Sequence, residues 1–295
     1  GLRHRGQRAV QRLLQYAPAS GSLALWAEHR DLNPPPGDTG RDPEGAASRR
    51  EAALRRRELR HLPALQTPVP LAEPPAFTDG RTLFYLPSFE ALTLAQQTGW
   101  VAHEVLHLAL RHVQRLRAMR ERVGSVDEVL FNRCADAIVN SSLSHLKWLE
   151  LPEGALTLPV LLAEVLGREE EDAQALAAWD VERLYRAVDD RKPLSASNKD
   201  GPRAARLRAL ATGIPRDLAD VPAAGEAQEP PEAEAALARE WAERLLRGHV
   251  GDGAYSMLRT VPAGAGRSST PWESLLRSRL ARALAPRAAL SWSRP

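Results

Sequence analysis

A single cysteine, Cys134, stands in a chain of 295 residues. No internal disulfide can form, and a reducing compartment such as the cytoplasm is the expected setting. Lysine is nearly absent: of 40 basic residues, 37 are arginine and 3 are lysine. Against 37 acidic residues they leave a formal net charge of only +3, so the sequence pI of 9.3 reflects arginine. No motif of interleaved aromatic and basic residues accompanies those arginines, and nucleic acid is not the expected partner. No apolar run approaches the ~18 residues that would cross a bilayer. The greasiest stretch, Leu156–Leu166, is interrupted by Pro159 and Glu164, so no membrane-spanning helix is expected. There is also no internal repeat and no phosphate-binding glycine motif, which sets aside repeat arrays and nucleotide-binding loops.

What the chain does contain is concentrated in residues 94–117, LAQQTGWVAHEVLHLALRHVQRLR, and within them in His103-Glu104-Val105-Leu106-His107. With 8 His and 23 Glu in the chain, random placement gives roughly 0.015 matches to this H-E-x-x-H pattern. Four residues make about one helical turn, so both imidazoles project from one face, as two ligands of a zinc ion must. Glu104, beside the first histidine, can reach a water held by such a metal and take its proton. Leu94, Val101, Val105 and Leu108 form an apolar stripe, while Trp100 and Leu110 lie near the histidines. A helix apolar on several sides is expected to be buried, and two buried histidines need partners. His112 falls on the Leu94 stripe, about 160° from the two-histidine face; it is read as a structural histidine and not a ligand. The longer pattern that adds a glycine and a third histidine is not met, because Leu110 and Val113 hold those positions.

The third ligand therefore comes from elsewhere. In residues 126–148, VDEVLFNRCADAIVNSSLSHLKW, helical spacing puts Asn132, Asp136 and Asn140 on one side and Leu130, Cys134 and Ile138 on another. A carboxylate flanked by two amides suits a metal ligand with supporting hydrogen bonds. Asp136 is the preferred third ligand, with Glu128 and His145 as competitors and Cys134 assigned to the core.

Around these helices the chain reads as follows. Residues 3–16 predict an amphipathic helix with Val10, Leu13 and Leu14 inward and Arg3, Arg5, Arg8 and Arg12 outward. Residues 31–60 predict an exposed loop and helix. Pro68 and Pro70 limit the segment around Val69 to an irregular edge strand. The pair Asp79-Gly80 signals a turn, and Thr82–Leu86 is the best strand in the chain. A strand just before the histidine helix could offer its edge to an extended peptide. Residues 190–230, rich in Pro, Gly, Ser and Asp, predict a flexible insertion with a short helix near Ala204–Leu210. Residues 233–247 predict a helix broken by Gly248, Gly251 and Gly253. Thr270-Pro271-Trp272-Glu273 starts a last helix that stops before Pro286.

The Thr78-Asp79-Gly80 turn, the H-E-x-x-H helix, the Asn132…Asp136…Asn140 helix and the terminal Ser291-Trp292-Ser293-Arg294-Pro295 together resemble the bacterial putative metallopeptidase domain that precedes a von Willebrand factor A-like domain. The resemblance implies a single zincin-like domain over residues 1–295, with an α+β, mostly helical fold and a small β-sheet flanking the H-E-x-x-H helix. It implies zinc on His103, His107 and Asp136, with Glu104 as the catalytic base. It also implies a neighbouring MoxR-type AAA+ ATPase. The expected function is hydrolysis of protein or peptide substrates by a metal-activated water, with Tyr85 and Tyr255 as candidate oxyanion donors. The alternative is a zinc-stabilised interaction module without hydrolysis in an assembly of the same partners. The chain starts without Met and ends where the resembled family continues, so the expectation is a front portion of a longer protein whose A-like domain follows.

Overall fold

The structure, a computed structural model, describes residues 4–32, 73–191, 200–219 and 231–265. Most of the loop and helix expected at 31–60, the edge strand around Val69, and the helix from Thr270 with Trp292 beyond it lie outside the described residues. Within them the chain is mostly helical with one three-stranded sheet.

Helix α1 (Gln7–Tyr16) buries Ala9, Val10 and Leu13 along one face. Arg5, expected to point outward, turns in. Its side chain is 5% exposed, and its guanidinium donates to the carbonyl of Leu32 at 3.0 Å and to Glu90 at 2.8 Å. The helical wheel misplaces it because Arg5 precedes the helix and does not share its periodicity. Helix α2 (Pro18–Gly21) and a 3-10 turn (Ser22–Trp26) lead into strand β1 (Glu28–Asp31).

Strands β2 (Ala76–Thr78) and β3 (Thr82–Tyr85) form the hairpin that Asp79-Gly80 predicts. Asp79 Oδ1 accepts from the amides of Arg81 (2.9 Å) and Thr82 (2.8 Å), and Gly80 takes φ 92°. A side chain at that φ would be strained. The sheet order is β1-β3-β2, with β1 parallel and β2 antiparallel to β3. The strongest strand signal thus lies at the centre, and β2 packs against the histidine helix.

That helix, α3 (Leu94–Ala109), starts with a reciprocal cap. Thr93 Oγ1 accepts from the Gln96 amide at 3.2 Å, and the Gln96 side chain accepts from the Thr93 amide at 3.0 Å. Every residue from Thr98 to Ala109 is buried. The sequence pattern runs the helix on to residue 117, but Arg111 takes a left-handed conformation at φ 59° and a new helix, α4 (His112–Val123), sets off from it. Helix α5 (Glu128–Leu143), capped by Asp127, runs beside α3. A β-carbon on Gly99 of α3 would lie 1.7 Å from the Glu150 carbonyl oxygen, so the chain after α5 sits directly on the histidine helix.

Helices α6 (Leu158–Leu166), α7 (Asp172–Ala178) and α8 (Val181–Val188) cover the far side of α5 and bury Trp179, Leu184 and Tyr185. Residues 190–230 are not free of the body throughout. Helix α9 (Pro202–Leu210) buries Ala204 and Leu207, and Leu218 is buried after it. A composition rich in turn formers does not distinguish a solvent-borne segment from an irregular one pinned by a few apolar side chains. Helix α10 (Pro231–Asp252) continues through Gly248 and Gly251, which were expected to break it. These glycines mark its crossing with α2: a β-carbon at Gly248 would lie 2.9 Å from Ser20 Cα, and one at Gly251 2.7 Å from Ala19 Cβ. Among the described residues no helix is long and apolar enough to cross a membrane.

Candidate metal centre

Helices α3 and α5 lie side by side, and the histidines of one meet the Asn132–Asp136–Asn140 stripe of the other. His103 and His107 bring their Nε2 atoms within 2.8 Å of each other. Asp136 Oδ1 lies 3.3 Å from His107 Nε2 and 3.8 Å from His103 Nε2. All three side chains are buried.

Which ring nitrogen carries the proton follows from the partners. Asn140 donates through Nδ2 to the carbonyl of Leu156 at 2.9 Å, which turns its Oδ1 toward His103 Nδ1 at 3.0 Å. His103 Nδ1 therefore carries a hydrogen, which leaves Nε2 as the ring atom that can turn a lone pair to a cation. His107 Nδ1 lies 2.9 Å from His112 Nδ1. Burial, with the nearby His107 and Arg115, pushes the pKa of His112 well down, so His112 is neutral and can accept from His107. In the tautomer in which His107 Nδ1 donates, its Nε2 too is the atom left to face a cation. The wheel put His112 on the opposite face because it assumed an unbroken helix; the turn at Arg111 swings it back.

A fourth donor joins the group, and nothing in the sequence reading singled it out. Asp217, in the irregular stretch after α9, places Oδ2 3.0 Å from His103 Nε2. Asn132 ties the two carboxylates together. Its Nδ2 donates to Asp136 Oδ1 at 2.6 Å and to Asp217 Oδ1 at 2.8 Å, and its Oδ1 accepts from the amides of Asp217 and Leu218, each at 3.2 Å. Both donors and both acceptor sites of the amide are used. Arg133, also buried, donates to Asp136 Oδ2 at 2.8 Å and to the carbonyls of Ile214 and Pro215. No local pattern marks Asp217: it stands in a Pro-containing stretch and meets α5 only through the fold.

Electrostatics agree with the geometry. Burial works against a charge on His103, but Asp136 and Asp217 outweigh it and raise its proton affinity well above that of a free imidazole. Burial likewise opposes ionisation of Asp136, yet His103, His107 and Arg133 hold its pKa well below the usual carboxylate range. The space between these side chains thus favours positive charge. Ligand atoms held ~2.0–2.2 Å from one ion are at most about 4.4 Å apart, and donors from His103, His107, Asp136 and Asp217 all lie within 4.8 Å of one another. Two imidazoles with carboxylates fit a divalent cation.

Glu104 is fully buried, and neither carboxylate oxygen has a hydrogen-bond partner. Burial, then the charge of Asp217, pushes its pKa well up, partly opposed by His103. The competing ligands are engaged elsewhere. Glu128 pairs with Arg120 and Arg216, and His145 Nε2 lies 2.9 Å from the Ser256 carbonyl oxygen. Cys134 is in the core, where burial raises its thiol pKa. Tyr255 is 70% exposed. Tyr85 is buried with its hydroxyl 2.8 Å from His29 Nδ1. Because His29 Nε2 faces the Ala24 carbonyl at 2.7 Å, neutral His29 donates there and accepts the Tyr85 proton, so that hydroxyl is already committed. Beside the four donors, a cleft bordered by Trp100, Pro152, Leu156 and Pro215 leaves about 20 Å³, room for roughly one water.

No curated protein and no solved structure matches the chain. The sequence profile of one family does match, over residues 66–295, which span the H-E-x-x-H helix, Asp136 and Asp217. By that match the chain belongs to the putative metallopeptidase domain family.

Proposed function

We propose that the chain is a zinc-dependent peptidase in which His103, His107 and Asp136 hold the cation and Glu104 is the general base. The observation that carries this reading is the meeting of two imidazole Nε2 atoms and a buried carboxylate beside a second carboxylate, Glu104, that has no other partner. When bound, zinc supplies Lewis-acid polarisation of a peptide carbonyl and makes water a stronger acid. The remaining work falls to the chain. Asn140 and His112 hold the histidines in the tautomers that present both Nε2 lone pairs. Arg133 takes Asp136 Oδ2 and leaves Oδ1 facing the rings. Glu104, with its raised proton affinity, accepts a proton from the attacking water and returns it to the leaving amine. Elemental analysis tests the reading: one zinc per wild-type chain and none in His103→Ala is expected, with Glu104→Gln keeping zinc and losing peptide turnover. A wild-type chain purified without chelator and free of metal would sink it.

One observation favours a second reading, a zinc-stabilised interaction module without hydrolysis. Asp217 brings the protein donors to four, the number that structural zinc sites use. Absence of turnover in a fully zinc-loaded wild-type chain, indistinguishable from Glu104→Gln, would select it. In either reading we place the domain beside a von Willebrand factor A-like domain and a MoxR-type ATPase. The family resemblance supports that placement, and co-purification with such an ATPase tests it.

A further inference from the structure

Strand β2 is the outer strand of the sheet, with one side not paired to β3, and it packs against the histidine helix. That side is already taken by the chain itself. The Thr78 amide donates to the Asp217 carbonyl at 3.0 Å, and the Ala219 amide donates to the Thr78 carbonyl at 2.8 Å. These two bonds make a one-residue parallel bridge between Thr78 and Leu218. An extended peptide added to a sheet edge uses the same backbone groups. Leu218 lies between those bonds, and Asp217, whose carbonyl makes the first of them, reaches His103 Nε2 with its Oδ2 at 3.0 Å.

One short segment therefore fills both places that a peptide undergoing hydrolysis would need: the sheet edge, and the position at the cation that a catalytic site keeps open. The remaining cleft holds about one water and no peptide. Holding the segment down are Arg133, on the carbonyls of Ile214 and Pro215, and Asn132, on the amides of Asp217 and Leu218. The segment's own Leu218 is buried.

We infer that residues 214–219 are an internal inhibitor of the proposed peptidase site, with Asp217 as a displaceable fourth ligand. This rests on the zinc-peptidase reading. The chain as it stands is the closed form, and substrate enters only when the segment leaves β2 and Asp217 leaves His103.

Cobalt(II), titrated into the wild-type chain, Asp217→Ala, Asp217→Asn and His103→Ala, provides a readout independent of turnover. Both Asp217 variants should still bind one cobalt, because a displaceable ligand costs no more than the ~10–100-fold typical of a supporting partner, whereas His103→Ala should not bind measurably. Acetohydroxamate should change the visible spectrum of the cobalt-loaded Asp217 variants at concentrations that leave the wild type unchanged. In the cobalt-loaded wild type, a peptide hydroxamate should accelerate deuterium exchange at the amides of Asp217 and Ala219. Loss of cobalt from both Asp217 variants as complete as in His103→Ala would make Asp217 a permanent ligand and overturn the inference. So would a bound peptide hydroxamate that leaves those two amides protected. If the wild type itself takes up no cobalt, the failure lies in the metal-site reading, and the inference falls with it.

Discussion

His107 and His112 share a hydrogen bond between their Nδ1 atoms, 2.9 Å apart, because Arg111 between them turns left-handed at φ 59°. In an unbroken helix, residues five apart do not face each other. The kink brings His112 to where it can accept from His107 and fix its tautomer. Replacing it with phenylalanine keeps the bulk and removes the acceptor. His112→Phe should weaken metal binding by ~10–100-fold, measured by competition with a chromophoric chelator. An unchanged affinity would mean that His107 does not depend on this partner.

The H-E-x-x-H spacing and the Asn132–Asp136–Asn140 stripe were readable because each lies within one uninterrupted helix, where the period of 3.6 residues links sequence to direction. The hairpin was readable because Asp79-Gly80 is local chemistry. Direction was lost wherever the backbone left that period. His112 lies past the Arg111 kink, and Arg5 before the first turn of α1. Asp217 sits in irregular chain and reaches the site across 81 residues from Asp136, so no window contains both. Gly248 and Gly251 look like breakers in sequence but serve as contact points for α2, which only the packing reveals.

Glu104 is a buried carboxylate without a hydrogen-bond partner, an arrangement that costs stability. Glu104→Met should therefore lower peptide turnover by ~10²–10⁴-fold while the melting temperature of the metal-stripped protein rises, because an apolar chain of similar length leaves no buried polar group unpaired. Function and stability would then trade against each other at this position. Turnover assays and thermal melts on the same preparations check both halves. A turnover rate equal to the wild type would remove Glu104 from the base role.

Gly99 and Gly248 each let a backbone segment approach closely, to different degrees. At Gly99 an added methyl meets the backbone carbonyl of Glu150 at 1.7 Å; at Gly248 it meets Ser20 Cα at 2.9 Å. Gly248→Ala should cost about 1–3 kcal/mol by overpacking α10 against α2. Gly99→Ala should cost more, because both obstacles are backbone and the overlap at Gly99 is more than an ångström deeper, and it should also disturb the histidine helix. Urea unfolding of both variants gives the order. Gly99→Ala with wild-type stability would show that residues 149–151 do not seat on α3 as described.

Acid should loosen the packing around the N-terminal helix. His4 stacks on His29 with ring centroids 4.3 Å apart, and His29 in turn bonds Tyr85. Burial lowers the pKa of His4 to about 4, helped by the neighbouring His29. His29 is lowered too, first by burial, with the Ala24 carbonyl and Asp31 pulling the other way. A histidine whose folded pKa lies below the unfolded value of ~6.5 leaves the unfolded chain binding more protons as the pH falls. Stability from these neutral rings is thus complete above about pH 6.5 and is lost between there and about pH 4. His4→Phe keeps a ring in the stack and removes the proton site. Its melting temperature should fall less steeply than that of the wild type from pH 6.5 to pH 4, while the two curves run parallel above pH 7. Equal slopes across the acid window would show that His4 charges as readily in the folded chain as in the unfolded one.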